Sequence, residues 1–260
     1  MRRVLKMLAG IYALAVYGFI FLPVVVLILY SFQATLFPIP PFTGPSLRWY
    51  EAVLGDRRLM AGLVNSVAVA VLSSAVAVFL GVLAAYGFAR FRLPAQTALR
   101  ALITAPLMVS YLVIGMGLLI LFNATGVPKS LVSAGIAHAV INLPLSFAII
   151  YSQIGDHHLY AERAARDLGA RQWQVLVLVT APMLWPALFA SFFLAMTFSW
   201  DEFVMAFLLT RFETTLPVEI WNLLRSGLNP KTNAVGSLVF GVSILAVLVI
   251  ELVLVRTLRR

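Results

Sequence analysis

The chain has 260 residues, of which 62% are hydrophobic and 11% charged, and its mean hydropathy is +0.99. Soluble domains are about half apolar and a quarter charged, so the composition excludes a soluble globule and indicates a polytopic membrane protein. The net charge of +9 is scattered through loops between apolar runs, which fits anionic lipid and the positive-inside rule better than nucleic acid; the absence of cysteine excludes disulfides, thiolate metal sites and Cys nucleophiles.

Residues 1–6 are basic and precede the apolar run 8–30. That run is longer than a signal-peptide core and lacks a small-residue cleavage site, so a retained first span with its N-terminus inside is expected. Residues 31–60 form an outer loop in which FPIPPFTGP forbids regular helix, while LRWYEAVL (47–54) predicts a short one. Span two is expected over 62–89. Arg90, Arg92, Pro94 and Arg100 then make a compact basic loop, a cytoplasmic marker. Span three is read over 101–122, with Pro106, Gly115 and Gly117 inside it, and span four over 131–151, with Asn142 and Pro144. The paired Gly115 and Gly117 are expected to allow close helix packing. The polar segment 152–183 precedes span five at 184–209. In 216–227, LPVEIWNLLRSG, apolar residues at Val218, Trp221 and Leu224 or Leu223 predict a helix along the outer surface. Span six occupies 233–255, and Arg256, Arg259 and Arg260 close the chain inside. Each run has the roughly 20 residues that a crossing needs.

Twelve of the 19 Lys and Arg fall in the four segments assigned to the cytoplasm. The other seven, Arg48, Arg57, Arg58, Lys129, Arg211, Arg225 and Lys231, are mixed with Glu51, Asp56, Glu213 and Glu219 outside. The bias supports six spans with both termini inside.

The longest polar interruption between apolar runs on the inner side is 160–186, YAERAARDLGARQWQVLVLVTAPMLWP. Its first half carries Ala161, Ala164, Ala165 and Leu168 at one-face helical spacing. Glu162 with Arg166, and Arg163 with Asp167, are read as surface pairs four apart on the other face. Gly169 suits a C-cap and turn. A second helix carries Trp173, Leu176, Val177 and Thr180 on one side until Pro182 and Pro186 punctuate it. The result is a helix-turn-helix knob, or alternatively an amphipathic hairpin lying on lipid.

This stretch resembles the cytoplasmic signature loop of permease subunits of bacterial ABC importers: E-A-A, three residues, G, nine residues, I, one residue, L-P. The alanines fall on Ala164 and Ala165, the glycine on Gly169, and the closing positions on Val179, Ala181 and Pro182. The leading acid falls on Arg163, with Glu162 one position early, and Ala181 replaces the leucine. The flanking DLGARQW and FSWDEFVMAFLL are similar to the second permease of spermidine/putrescine-type importers.

The resemblance implies an all-α membrane protein of the type I ABC importer permease fold, one domain over 1–260, with a coupling helix between spans four and five. It implies ATP-driven import of a small solute, a polyamine or related amine, across the bacterial inner membrane. The expected partners are a homologous second permease, two ATP-binding subunits, an extracytoplasmic solute-binding protein and membrane lipid; no nucleic acid is expected. The ATPase-coupling residues would be Ala161, Glu162, Arg163, Ala164, Ala165, Arg166, Asp167, Leu168 and Gly169. Small residues there would permit close approach, and Glu162, Arg163, Arg166 and Asp167 would make polar contacts. The sequence has no G-x-x-x-x-G-K-[ST], so the chain is not read as an enzyme; ATP and Mg are expected on the partner subunit. The outer segments 31–60 and 210–232 are the expected docking surfaces for the binding protein.

Asp201 and Glu202 lie about 17 residues into span five, roughly 25 Å along a helix. Ionisable groups at that depth point to a pathway or a partner. Neighbours on a helix diverge by about 100°, so one carboxylate is expected on the substrate path and the other on a neighbouring span or partner, with Trp200 beside them. Hydrogen bonding of both at the outer interface is the alternative. His157 and His158 are expected to diverge at the interface, His138 to be a packing residue, and Asn65, Asn142 and Ser199 to join helices. Glu251 is placed near the inner end of span six, within reach of Arg256. No metal or catalytic set is expected. A secondary transporter or channel needing no ATPase stays open as the second reading.

Overall fold

The computed structural model describes residues 2–227 and 229–258. Arg259 and Arg260, together with the side chains of Arg2, Arg3, Glu251 and Arg256, lie outside what it describes. Its elements are helical: α1 (Arg2–Ser31), α2 (Arg48–Leu54), α3 (Arg57–Arg90), α4 (Gln96–Thr104), α5 (Tyr111–Thr125), α6 (Leu131–Gln153), α7 (Asp156–Asp167), α8 (Gln172–Val175), α9 (Ala181–Met183), α10 (Trp185–Asp201), α11 (Val204–Leu209), α12 (Leu216–Arg225) and α13 (Pro230–Leu258). Among the described residues, three helices are long and apolar enough to cross a bilayer: Lys6–Ser31, Arg57–Arg90 and Leu131–Gln153. Two more stretches pass that test only as bent pairs, Gln96–Met108 with Tyr111–Thr125 at 108° and Gln172–Met183 with Trp185–Asp201 at 76°.

The run read as span three is therefore not one rod. Pro106 lacks the N–H an α-helix needs and forces the turn before it, and the chain runs through a 3₁₀ turn, Ala105–Met108, into extended backbone at Val109. The run read as span five breaks at Leu184 and again at Glu202, whose ψ of 116° is extended.

The chain divides into two compact units, residues 1–60 with 219–260 and residues 61–218. In the first, α1 packs on α13 and α13 on α2. A Cβ on Gly236 would meet the Leu27 side chain at 3.0 Å, so the glycine sets the closeness of that pair. The Tyr50 hydroxyl bridges Ser31 (2.6 Å) and Ser237 (2.8 Å), and the Trp49 indole donates to the Gln33 carbonyl at 2.7 Å. The Asp56 carboxylate caps α3 through the Arg58 N–H and takes the Lys231 ammonium at 2.6 Å. That bond to Lys231 holds the Asp56 carboxyl below its usual range.

The second unit is built around α6. Lipid tails are as apolar as leucine, so helices there associate through close packing and buried hydrogen bonds. Ala134, Ala137 and Ile141 of α6 pack with Phe122 of α5 and with Met205 and Leu209 of α11. Lower on α6, Phe147 and Ile150 pack with Ala85 and Phe88 of α3 and with Leu184. A Cβ on Gly81 would lie 3.1 Å from the Phe147 nitrogen, so the α3–α6 contact is backbone on backbone. Gly115 likewise admits Leu208, 2.9 Å from where its Cβ would be, whereas Gly117 faces open space. The polar links expected from Asn65, Asn142 and Ser199 exist: Asn65 donates to the Thr214 carbonyl at 2.9 Å and Asn142 to the Ala195 carbonyl at 3.2 Å. Ser199 meets Ser73 at 3.1 Å.

Candidate functional site

The knob has the helix-turn-helix form that its sequence indicates. Gly169 at φ +88° terminates α7, because only the left-handed region lets the chain turn back there. Its N–H bonds the Arg166 carbonyl at 2.8 Å and the Ala170 N–H bonds Ala165 at 3.0 Å. That pair of bonds is a Schellman cap. Arg171 opens the second helix, its N–H held by the Gln174 side chain at 2.7 Å. The helix then winds as a π-turn over Leu176–Thr180 ahead of Pro182.

Exposure sorts the residues differently from their face in sequence. Leu168 is 89% exposed, Tyr160 67% and Trp173 59%, and Arg163, Ala164, Asp167 and Gly169 are exposed with them. Ala161, Ala165 and Arg166 are half-buried. Glu162 was expected on the outward polar face and is instead fully buried, at 0% exposure. Its carboxylate receives Arg90 in a two-pronged bond (2.8 and 3.2 Å), Arg166 at 3.3 Å and the Thr180 hydroxyl at 2.9 Å. The Glu162–Arg166 pair thus belongs to an internal cluster, and Arg163 and Asp167 form no ion pair among the described residues. The reason is tertiary: Arg90 ends α3 beside α7, and a largely buried guanidinium needs a carboxylate more than the surface does. Arg90 was legible only as a basic loop residue and Thr180 only as one position on a helix face.

His157 and His158 do not diverge. Their rings lie 3.8 Å apart, and His158 is buried with its Nδ1 accepting the Gly155 N–H at 3.2 Å. Burial, then the neighbouring His157 and Arg90, lower the His158 pKa from its ordinary 6.5.

At the other site the two carboxylates separate. Asp201, the last residue of α10, is exposed and lines a cleft of about 430 Å³ with Tyr111, Thr197, Phe198 and Phe203. Glu202 borders the same cleft but is buried, 5% exposed. Its oxygens accept the Met205 N–H (2.9 and 3.1 Å) and the Ala206 N–H (3.3 Å), capping α11. His138 Nε2 of α6 lies 3.3 Å from Glu202 Oε2, without the alignment of a hydrogen bond. Its Nδ1 pairs with the Ser199 hydroxyl at 2.6 Å. Glu202 therefore serves the break in the helix while standing at the edge of the cleft. Trp200 is half-buried and is not among the residues lining the cleft. Among the described residues no three His, Asp or Glu side chains form a metal-ligating group.

Residues 77–259 match the family model for the binding-protein-dependent transport system inner membrane component. The putrescine transport system permease protein PotI of Escherichia coli K12 is 32% identical over 233 residues, which is 86% of this chain and 83% of that protein. The spermidine/putrescine transport system permease protein PotC of the same strain is 26% identical over 250 residues, 95% of this chain and 94% of PotC. In fold, the chain is similar to a bacterial alginate ABC transporter crystallised with its alginate pentasaccharide-bound periplasmic protein, with a TM-score of 0.70 at 15% identity over 97% of this chain and 93% of that one. The chain belongs to the family of inner membrane components of binding-protein-dependent transport systems, and it is a permease subunit of an ABC importer.

Proposed function

We propose that this permease imports a small amine of the polyamine class, and that its α7 knob is the joint to a separate ATP-hydrolysing subunit. The observation that carries the second half is the outward apolar surface of the knob. Leucine exposed to 89% and tryptophan to 59%, with Tyr160, Val177 and Leu178 exposed as well, are costly in water and suited to a protein groove. Arg163 and Asp167 flank them with polar groups, while Ala164 and Gly169 leave room for a partner backbone. The amine assignment is supported by the solutes in the names of PotI and PotC and by the cleft in which Asp201 stands among Tyr111, Phe198 and Phe203. A carboxylate among aromatic rings suits an ammonium by charge and by cation–π attraction.

The complex would then hold a homologous second permease, two ATP-binding subunits that carry ATP and Mg, and an extracytoplasmic binding protein that meets the outer segments 31–60 and 210–232. Six spans with both termini in the cytoplasm put the knob on the ATP side. Closure of the ATPases would draw the knobs together and rock the spans between inward-facing and outward-facing states. Co-purification tests this. The tagged native chain should bring down an ATP-binding subunit, and deleting residues 161–169 should release it. Uptake that follows an ion gradient with no ATP-binding subunit attached would favour a secondary transporter and sink the proposal.

A further inference from the structure

Among the described residues, the side-chain hydrogen bonds that join α7 to α3 and the π-turn are those of Glu162. Its two oxygens take four donors: Oε2 accepts from Arg90 Nε at 2.8 Å and from Arg166 Nη2 at 3.3 Å. Oε1 accepts from Arg90 Nη2 at 3.2 Å and from Thr180 Oγ1 at 2.9 Å. A carboxylate offers about four lone-pair positions, and this one also has no exposed surface. It has no capacity left for another chain, so it does not belong among docking residues.

Its partners give it a different use. Arg90 is the last residue of α3, a helix of 34 residues that is long and apolar enough to cross a bilayer. Thr180 closes the π-turn that leads to Pro182. By chain alone, displacement of α7 must pass through the Gly169 turn, the π-turn and the 76° break at Leu184 before it reaches α10. The carboxylate offers a direct route instead. A two-pronged guanidinium–carboxylate bond resists both rotation and translation, and burial shields it from water and salt. A neutral bond from Gln172 to the Tyr86 hydroxyl at 2.6 Å ties α8 to the same helix.

We propose that Glu162 is a positioning residue that transmits movement of α7 into the Arg90 end of α3, while the exposed Tyr160, Arg163, Leu168 and Trp173 make the contacts with the ATP-binding subunit. This rests on the reading of α7 as the joint to that subunit. Movement in α3 would then begin at its inner end, and the π-turn would follow through Thr180.

The test uses the whole complex in lipid nanodiscs, with the variants Glu162→Gln, Arg90→Gln and Thr180→Val. Two quantities are read: retention of the ATP-binding subunits, and the ratio of ATP hydrolysis with the binding protein, purified with the solute it carries, to hydrolysis without it. The expected result is full retention with a ratio lower by about fivefold or more in Glu162→Gln and Arg90→Gln, and a smaller fall in Thr180→Val. A residue that only props the fold would lower both rates together and leave the ratio alone, so a native ratio in Glu162→Gln overturns the proposal. Loss of the ATP-binding subunits from an intact Glu162→Gln permease also overturns it, because Glu162 would then be a docking contact. If the two charge variants do not assemble, Thr180→Val decides by the same ratio, and a native value refutes transmission. Failure of the native chain to retain the subunits, read before any variant, counts against the joint itself.

Discussion

At the scale of single residues, neighbours in sequence take opposite roles because the backbone breaks between them. Both border the cleft, but Asp201 ends one helix and is exposed there, whereas Glu202 is buried and spent on the N–H groups of the next. Replacing Asp201 with Asn keeps its size and removes its charge, so the buried network of Glu202, His138 and Ser199 is untouched. Uptake of putrescine should fall about tenfold, the loss of one charge-assisted contact, while the amount of assembled complex stays native. Undiminished transport would remove Asp201 from the path. His158 makes the opposite kind of case, a titratable group that serves structure. Burial, then the neighbouring His157 and Arg90, disfavour its charged form, so the folded chain binds a proton less readily than the unfolded one. Stability should therefore be complete above the ordinary histidine pKa of 6.5, and should decline as pH falls through that value towards the lower folded one. Protection of the α7 amides, taken relative to their intrinsic base-catalysed exchange rate at each pH, should fall between pH 7.5 and 5.5 in the native chain (values set about one unit either side of that pKa). In His158→Gln it should be flat; a pH profile unaltered by the substitution would assign the effect elsewhere.

At the scale of elements, the turn of the knob depends on Gly169. A Cβ added there has open space around it, so the penalty is conformational rather than steric. An L-residue at φ +88° should cost about 1 kcal/mol. Gly169→Ala should therefore loosen the cap, seen as faster exchange of the Gly169 and Ala170 N–H groups, without collapsing α7; protection equal to native would mean that the turn tolerates a side chain. This cap was legible because glycine after a run of helix formers has a specific stereochemical meaning. The short helices α2 and α12 were legible for similar reasons, from their apolar spacing between loop signals. The bend of 108° between Met108 and Tyr111 was not, although Pro106 marks its place: a proline says that the ladder is interrupted, and neighbours decide the direction. Glu162 was misplaced because periodicity reports polarity of a face, and a buried carboxylate paired to a distant arginine has the same polarity as a wet one. Only the approach of α3, 72 residues away along the chain, distinguishes them. The adjacent histidines failed in the same way, since two side chains can converge when the first turn of a helix holds one of them down.

At the scale of the molecule, the apolar helices fix membrane insertion, while the side on which each polar loop lies follows from charge bias alone. Of the 19 Lys and Arg, seven fall outside in this topology, a margin that calls for direct measurement. The absence of native cysteine makes this simple, because one introduced thiol is the only one present. Leu168, 89% exposed on the knob, and Phe212, 88% exposed between α11 and α12, are separated by the stretch that contains α10 and belong to the same compact unit. At that exposure a cysteine opens no cavity at either position, and at Phe212 it removes only the surface contact with the Arg211 guanidinium. In sealed right-side-out vesicles an impermeant maleimide should label Phe212→Cys and spare Leu168→Cys, and inverted vesicles should reverse the pattern. Labelling of both from one side would mean that α10 does not cross the bilayer. Reversal of the two would put the knob on the face away from ATP, where Leu168 and Trp173 would meet no motor and the exposed apolar surface of the hairpin would need another partner.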